Sequence, residues 1–230
     1  MDVALVGNPE AKKAIVISSG THGVEGYCGS ALQVLALRNG LQKMLAGDCA
    51  CYIVHAVNPY GFSYKRRVNE NNIDLNRNFI DFTKPPPDNS LYQVYREFIN
   101  KSIADNRCQT ELEAAALYAE LHGENEYQKA IVSGQYLDAS DIYYGGRKAS
   151  WSNVTWRAFL KRAIAHASHL VHIDIHTGLG SFGKGTLIYT TDPLNSAFAM
   201  ATECYGKDKL LVPGDKLTPM VKGSLASSLD

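Results

Sequence analysis

The stretch from Ser18 to Ser30, SSGTHGVEGYCGS, limits the possible folds of this chain more than any other. It follows the β-branched apolar run Ala14-Ile15-Val16-Ile17, which reads as a buried strand, and precedes Ala31 to Leu37, ALQVLAL, which reads as a helix. The chain therefore turns from strand to helix here. Gly20, Gly23, Gly26 and Gly29 keep the backbone slim enough to bend sharply and to admit a ligand. His22 and Glu25 are spaced so that one helical turn sets an imidazole beside a carboxylate, within reach of a single metal ion. Plainer readings exist: Glu25 as a favourable charge on a first helical turn, and the glycines as turn formers. Position at the carboxyl end of a strand favours the ligand, because ligands of open α/β sheets gather there.

Met1 to Val6, MDVALV, reads as a preceding strand, separated by the turn Gly7-Asn8-Pro9-Glu10. The helix runs from about Glu25 to Leu45, and Cys51 to Val57 is the next strand, closed by Asn58-Pro59-Tyr60-Gly61. Strand, helix, strand is a βαβ unit, which predicts an α/β fold with parallel pairing. At 230 residues the chain is expected to form one domain. Ser63 to Phe79 shows no period of strand or helix and reads as a loop. Its Lys65, Arg66, Arg67 and Arg77 either line the same crevice as His22 and Glu25, suiting an anionic substrate, or form a solvated basic loop.

Lys84-Pro85-Pro86-Pro87-Asp88-Asn89 punctuates the chain before three helical segments at Leu91 to Ile103, Thr110 to Leu121 and Glu124 to Val132. We read residues of about 84–140 as a helical insertion. A loop from Tyr143 to Asn153 leads to a helix from Val154 to Ala167, whose Trp156, Phe159, Leu160 and Ala163 share a core face. Leu170 to Ile175 then alternates as a strand, with His172, Asp174 and His176 on one face and Val171, Ile173 and Ile175 on the other. His176, at the carboxyl end before a glycine turn, is the natural third ligand, because catalytic zinc often takes two His and one Glu and keeps a fourth position for water. Asp174 either orients a ligand or is an ordinary buried acceptor.

Gly178-Leu179-Gly180-Ser181-Phe182-Gly183 matches the dinucleotide fingerprint, but the following Gly185 to Thr190 reads as a strand where that motif needs a helix. G-x-S-x-G is absent, so a serine-nucleophile elbow has no support. Pro193 to Tyr205 reads as a helix capped by Asp192, and Leu210 to Val212 as a strand.

Lys and Arg total 23 against 23 Asp and Glu, so bulk charge attracts neither nucleic acid nor an anionic membrane. No apolar run approaches the roughly 20 residues of a membrane span, and nothing at the start resembles a signal segment. The five cysteines lack C-x-x-C spacing, which suits reduced thiols in a cytoplasmic protein. Oligomeric state is left open.

The H-x-x-E turn, the arginine loop, Asp74-Leu75-Asn76-Arg77-Asn78-Phe79 and Asp174-Ile175-His176-Thr177-Gly178-Leu179-Gly180 occur in the order of the zinc carboxypeptidase superfamily. From about Val3 to Gly180 the chain resembles that superfamily. Within it, the branch with aspartoacylase and succinylglutamate desuccinylase, and a bacterial domain family of unassigned function there, is most similar. The resemblance implies a mixed, largely parallel sheet with helices on both faces, shortened here at both ends. It implies zinc on His22, Glu25 and His176, a substrate carboxylate held by Asn76 and Arg77, and a scissile carbonyl polarised by Arg67, with Arg66 the alternative. The implied reaction is hydrolysis of an amide bond next to a carboxylate-bearing group, in a peptide or an N-acyl amino acid. The family's general base, a late-strand Glu, has no counterpart. After His176 the only glutamate is Glu203, in a helical stretch, and we do not assign it that role. The competing expectation is an incomplete module that binds zinc or a carboxylate without turnover.

Overall fold

A computed structural model describes residues 1–190, 194–212 and 221–229. Its centre is a four-stranded sheet of β1 (Asp2–Gly7), β2 (Lys13–Ser19), β3 (Cys49–His55) and β4 (His169–Ile175). The strand order is β1-β3-β2-β4. β2 pairs in parallel with both β3 and β4, while β1 runs antiparallel along β3, so the sheet is mixed and largely parallel as expected.

Helices cover both faces. On one lies α1 (Gly26–Arg38), preceded by a 3-10 turn at Gly23–Glu25. The buried Gln33 fastens α1 to the sheet: its amide donates to Ile17 O and Val54 O at 3.0 Å each and accepts from Ser19 Oγ at 2.9 Å. Close approach depends on Gly29, where a Cβ would lie 2.5 Å from Ser19 Cβ. The expected helix to Leu45 is broken instead, because Asn39 ends α1 and Gly40 takes φ +79° before the single turn of α2 (Leu41–Met44).

Beyond β3 the structure also corrects the loop reading. Asn58 caps a short α3 (Pro59–Tyr64), accepting from Gly61 N at 2.9 Å, and a 3-10 turn at Leu75–Arg77 interrupts the segment after it. Spacing alone did not reveal either, since both are too short to show a period.

The three helices expected after the proline run, α4 (Ser90–Ala104), α5 (Glu111–His122) and α6 (Glu124–Val132), fall within about two residues of expectation. They enclose an aromatic core of their own with Tyr92, Tyr95, Ile99 and Tyr118. On the opposite sheet face, α7 (Trp151–Ala163) starts earlier than expected because Ser150 caps it through Asn153 N. Its Trp156, Phe159 and Leu160 pack on Val16, Tyr52 and Val54 in the main core. After β4, β5 (Leu187–Ile188) pairs in parallel with β6 (Leu210–Leu211), in keeping with rejection of the dinucleotide motif. The helix between them, α8 (Ser196–Tyr205), is capped by Asn195; the expected cap Asp192 and start Pro193 lie outside the described residues. All five cysteines are unpaired. Among the described residues no helix is long and apolar enough to cross a membrane.

Candidate metal centre

His22, Glu25 and His176 leave the carboxyl ends of the adjacent parallel strands β2 and β4 and meet. Their donor atoms all lie within 4.8 Å of one another, and the two imidazoles stand edge to face with centroids 4.9 Å apart. Parallel pairing in the register Ser18 to Asp174 brings these distant segments to one place. The turn carrying His22 is held from outside: Val24 N donates to Arg66 O, and Gly23 lies so near α3 that a Cβ would be 1.9 Å from the Gly61 carbonyl carbon.

Each imidazole is fixed through Nε2, which leaves Nδ1 facing the centre. His22 Nε2 is 3.1 Å from Asp74 Oδ1, and His176 Nε2 is 2.6 Å from Asp174 Oδ2. Both Nδ1 atoms meet the Glu25 carboxylate, at 2.9 Å from His22 and 3.0 Å from His176. Thr177 N and Arg67 Nη1 also address Glu25, at 2.9 and 3.5 Å. Tetrahedral zinc with bonds of about 2.0–2.1 Å sets its ligand atoms about 3.3 Å apart, so small shifts of these three groups would bring them to ligand spacing. Carboxylates behind both imidazoles are the usual support of a metal site. Two nitrogens and one oxygen form a donor set suited to zinc, so the residues fit the group.

The electrostatics follow from crowding of opposite charges. Burial works to raise the Glu25 carboxyl, yet hydrogen bonds from His176 and His22 hold it far below its ordinary value. Burial disfavours charge on His176, but Asp174 and then Glu25 outweigh it and lift the imidazole to about 10. Without a metal, the ring between two carboxylates is an imidazolium whose Nδ1 proton occupies the place of a cation. Asp74 is fully buried, and Arg77, His22 and Arg67 keep it ionised against that burial. His172, half-buried beside Trp156, is pushed down by desolvation, which favours its neutral form.

The basic residues separate into different roles. Lys65 and Arg66 are exposed, whereas Arg67 donates through Nε to Asp74 Oδ2 at 3.0 Å and is half-buried beside Glu25. Arg77 is buried and bonded to main-chain carbonyls. It is 2% exposed, its Nε and Nη2 donate to Val132 O at 3.0 and 2.5 Å, and its Nη1 donates to Asn76 O at 2.9 Å. It thus clamps the end of α6 to the site loop, and the ring of Tyr143 faces both Arg67 and Arg77 at 5.0 and 5.4 Å. Asn76 sets Nδ2 3.5 Å from His176 Nε2 and accepts from Leu225 N through Oδ1 at 2.9 Å.

Sequence reasoning left Asp74, Ser18 and Thr21 unassigned. Asp74 opens one of the recognised motifs, and Ser18 falls on the same strand face as the later His and Asp, so alternation along β2 was the available signal. No curated protein matches the chain. A family model described as a protein of unknown function, DUF2817, matches residues 1–229, and the chain therefore belongs to the DUF2817 family.

Proposed function

We propose that this protein is a zinc-dependent amide hydrolase of carboxypeptidase or acylase type, acting on a small or peptide substrate that bears a carboxylate. The observation that carries the reading is the convergence of His22, Glu25 and His176, with Asp74 and Asp174 holding the imidazoles from behind. Zinc held there would supply a water of pKa about 7 and polarise a carbonyl oxygen. Arg67 is the guanidinium with solvent access beside Glu25, and in this reading it stabilises charge developing on the carbonyl oxygen. Asn76 and Arg77 orient the substrate carboxylate, Arg77 by exchanging Val132 O for the ligand. The turn backbone and the Asp74 and Asp174 supports keep these groups in place before substrate arrives.

A specific observation favours a second reading, a metal or carboxylate binder without turnover. Glu25, Asp74 and Asp174, the carboxylates of this network, are all committed to hydrogen bonds within it and leave no evident proton acceptor. Arg67→Ala separates the two. A hydrolase loses mainly kcat toward N-acyl amino acids or C-terminal peptides, whereas a binder loses mainly ligand affinity and shows no turnover in either form.

A further inference from the structure

We propose that Ser18, Thr21 and His172 are positioning residues for the third metal ligand: together they lock the Asp174 carboxylate so that His176 presents Nδ1 to the cation. This rests on the metal-centre reading and extends it to residues that touch no ligand atom.

The argument starts from the acceptor directions of Asp174. Its Oδ1 receives Ser18 Oγ at 2.6 Å and Thr21 Oγ1 at 3.1 Å, while its Oδ2 receives Thr21 Oγ1 at 3.0 Å and faces His176 Nε2 at 2.6 Å. Two hydroxyls on one carboxylate fix its rotation, and with it the direction of the imidazole. Ser18 has one hydroxyl hydrogen. Were it turned to His172, two bare acceptor oxygens would face each other at 2.6 Å, so the hydrogen goes to Asp174. His172 Nε2, 2.9 Å from Ser18 Oγ, must then carry a hydrogen of its own and donate it to the serine. The result is a directed chain, His172 to Ser18 to Asp174, with His176 on the far oxygen.

Strand geometry builds the chain. Val16 pairs with His172 and Ser18 with Asp174 across β2 and β4, so Ser18 sits beside both partners on the face covered by α7. Trp156 of α7 backs the His172 ring at 5.2 Å between centroids. Thr21 immediately precedes His22, so the turn that supplies two ligands also restrains the third. Ser18 and Thr21 have no solvent exposure, and among the described residues neither hydroxyl has another side-chain partner that would explain its burial.

The test is zinc affinity, measured on the full chain by competition with a chromophoric chelator. Removing an outer partner of a metal ligand typically weakens binding 10–100-fold, and for Ser18→Ala and Thr21→Val we expect about tenfold. His172→Leu should show a smaller loss that His172→Gln restores, because the amide keeps a donor toward Ser18. Circular-dichroism melting of each metal-free variant identifies those that fold. Zinc affinity at the wild-type level in folded Ser18→Ala and Thr21→Val overturns this proposal alone. A wild-type chain that takes up no zinc overturns the metal centre, and this proposal with it.

Discussion

Replacing Asp74 by asparagine perturbs the charge balance of the site with little change in shape. The Asp74 side chain has no solvent exposure. It faces His22 Nε2 at 3.1 Å, accepts from Arg67 Nε at 3.0 Å and Asn76 N at 2.9 Å, and lies 3.9 Å from Arg77 Nη1. An amide supplies one acceptor oxygen where two are in use, so an N–H group is turned toward either His22 and Asn76 or Arg67. Arg77, itself buried, loses its nearest carboxylate. Removing one partner of a buried ion pair costs about 3–5 kcal/mol. For a chain of this size that corresponds to a fall in Tm of roughly 6–20 °C, measured on the metal-free protein by circular dichroism. The same substitution frees the His22 ring and should weaken zinc 10–100-fold. At zinc concentrations of about 100 times the wild-type Kd, the wild type gains about 2.7 kcal/mol, and a variant tenfold weaker gains about 1.4 kcal/mol. A variant melting within about 2 °C of wild type and keeping its zinc stabilisation would refute the reasoning.

Metal-free protein should also be sensitive to pH at both ends. His176 has a raised pKa, so its contribution is fully present below the unfolded value near 6.5 and is lost as pH rises through about 10. Glu25 has a lowered pKa, so its contribution is present above 4.5 and lost as pH falls further. Urea unfolding should therefore give a midpoint that declines from pH 6.5 toward 10, and His176→Ala should flatten that decline. Gly23→Ala forces a methyl group to within 1.9 Å of the Gly61 carbonyl carbon, which displaces α3 and with it the Arg66–Arg67 segment. A cost of about 1–3 kcal/mol or more is expected in the same assay, and an unchanged midpoint would show that the turn and α3 do not share this contact.

Much of this organisation was legible in residue order, and the exceptions have physical causes. β2, β3 and α7 announced themselves through apolar runs and a shared core face, and alternation along β4 put His172, Asp174 and His176 together correctly. The apolar pattern after Glu25 continues through Leu41 and predicts too long a helix, whereas Asn39 caps it and Gly40 turns the chain in a left-handed conformation. Alternation along β2 gives the face on which Ser18 lies, but the cross-strand register that pairs it with Asp174 has no local signature. The motif that carries Arg77 says nothing of its packing: Gly134, at φ +85°, leaves room for the side chain against α6. That vacancy belongs to a residue 57 positions away, which no short motif records.

X-ray absorption at the zinc edge of the zinc-loaded chain is the most direct measurement of the centre. We predict one zinc per chain with only nitrogen and oxygen neighbours at about 2.0–2.2 Å and multiple-scattering features of two imidazoles. Substoichiometric zinc, a sulfur neighbour at about 2.3 Å, or the same spectrum after His176→Ala would contradict the account.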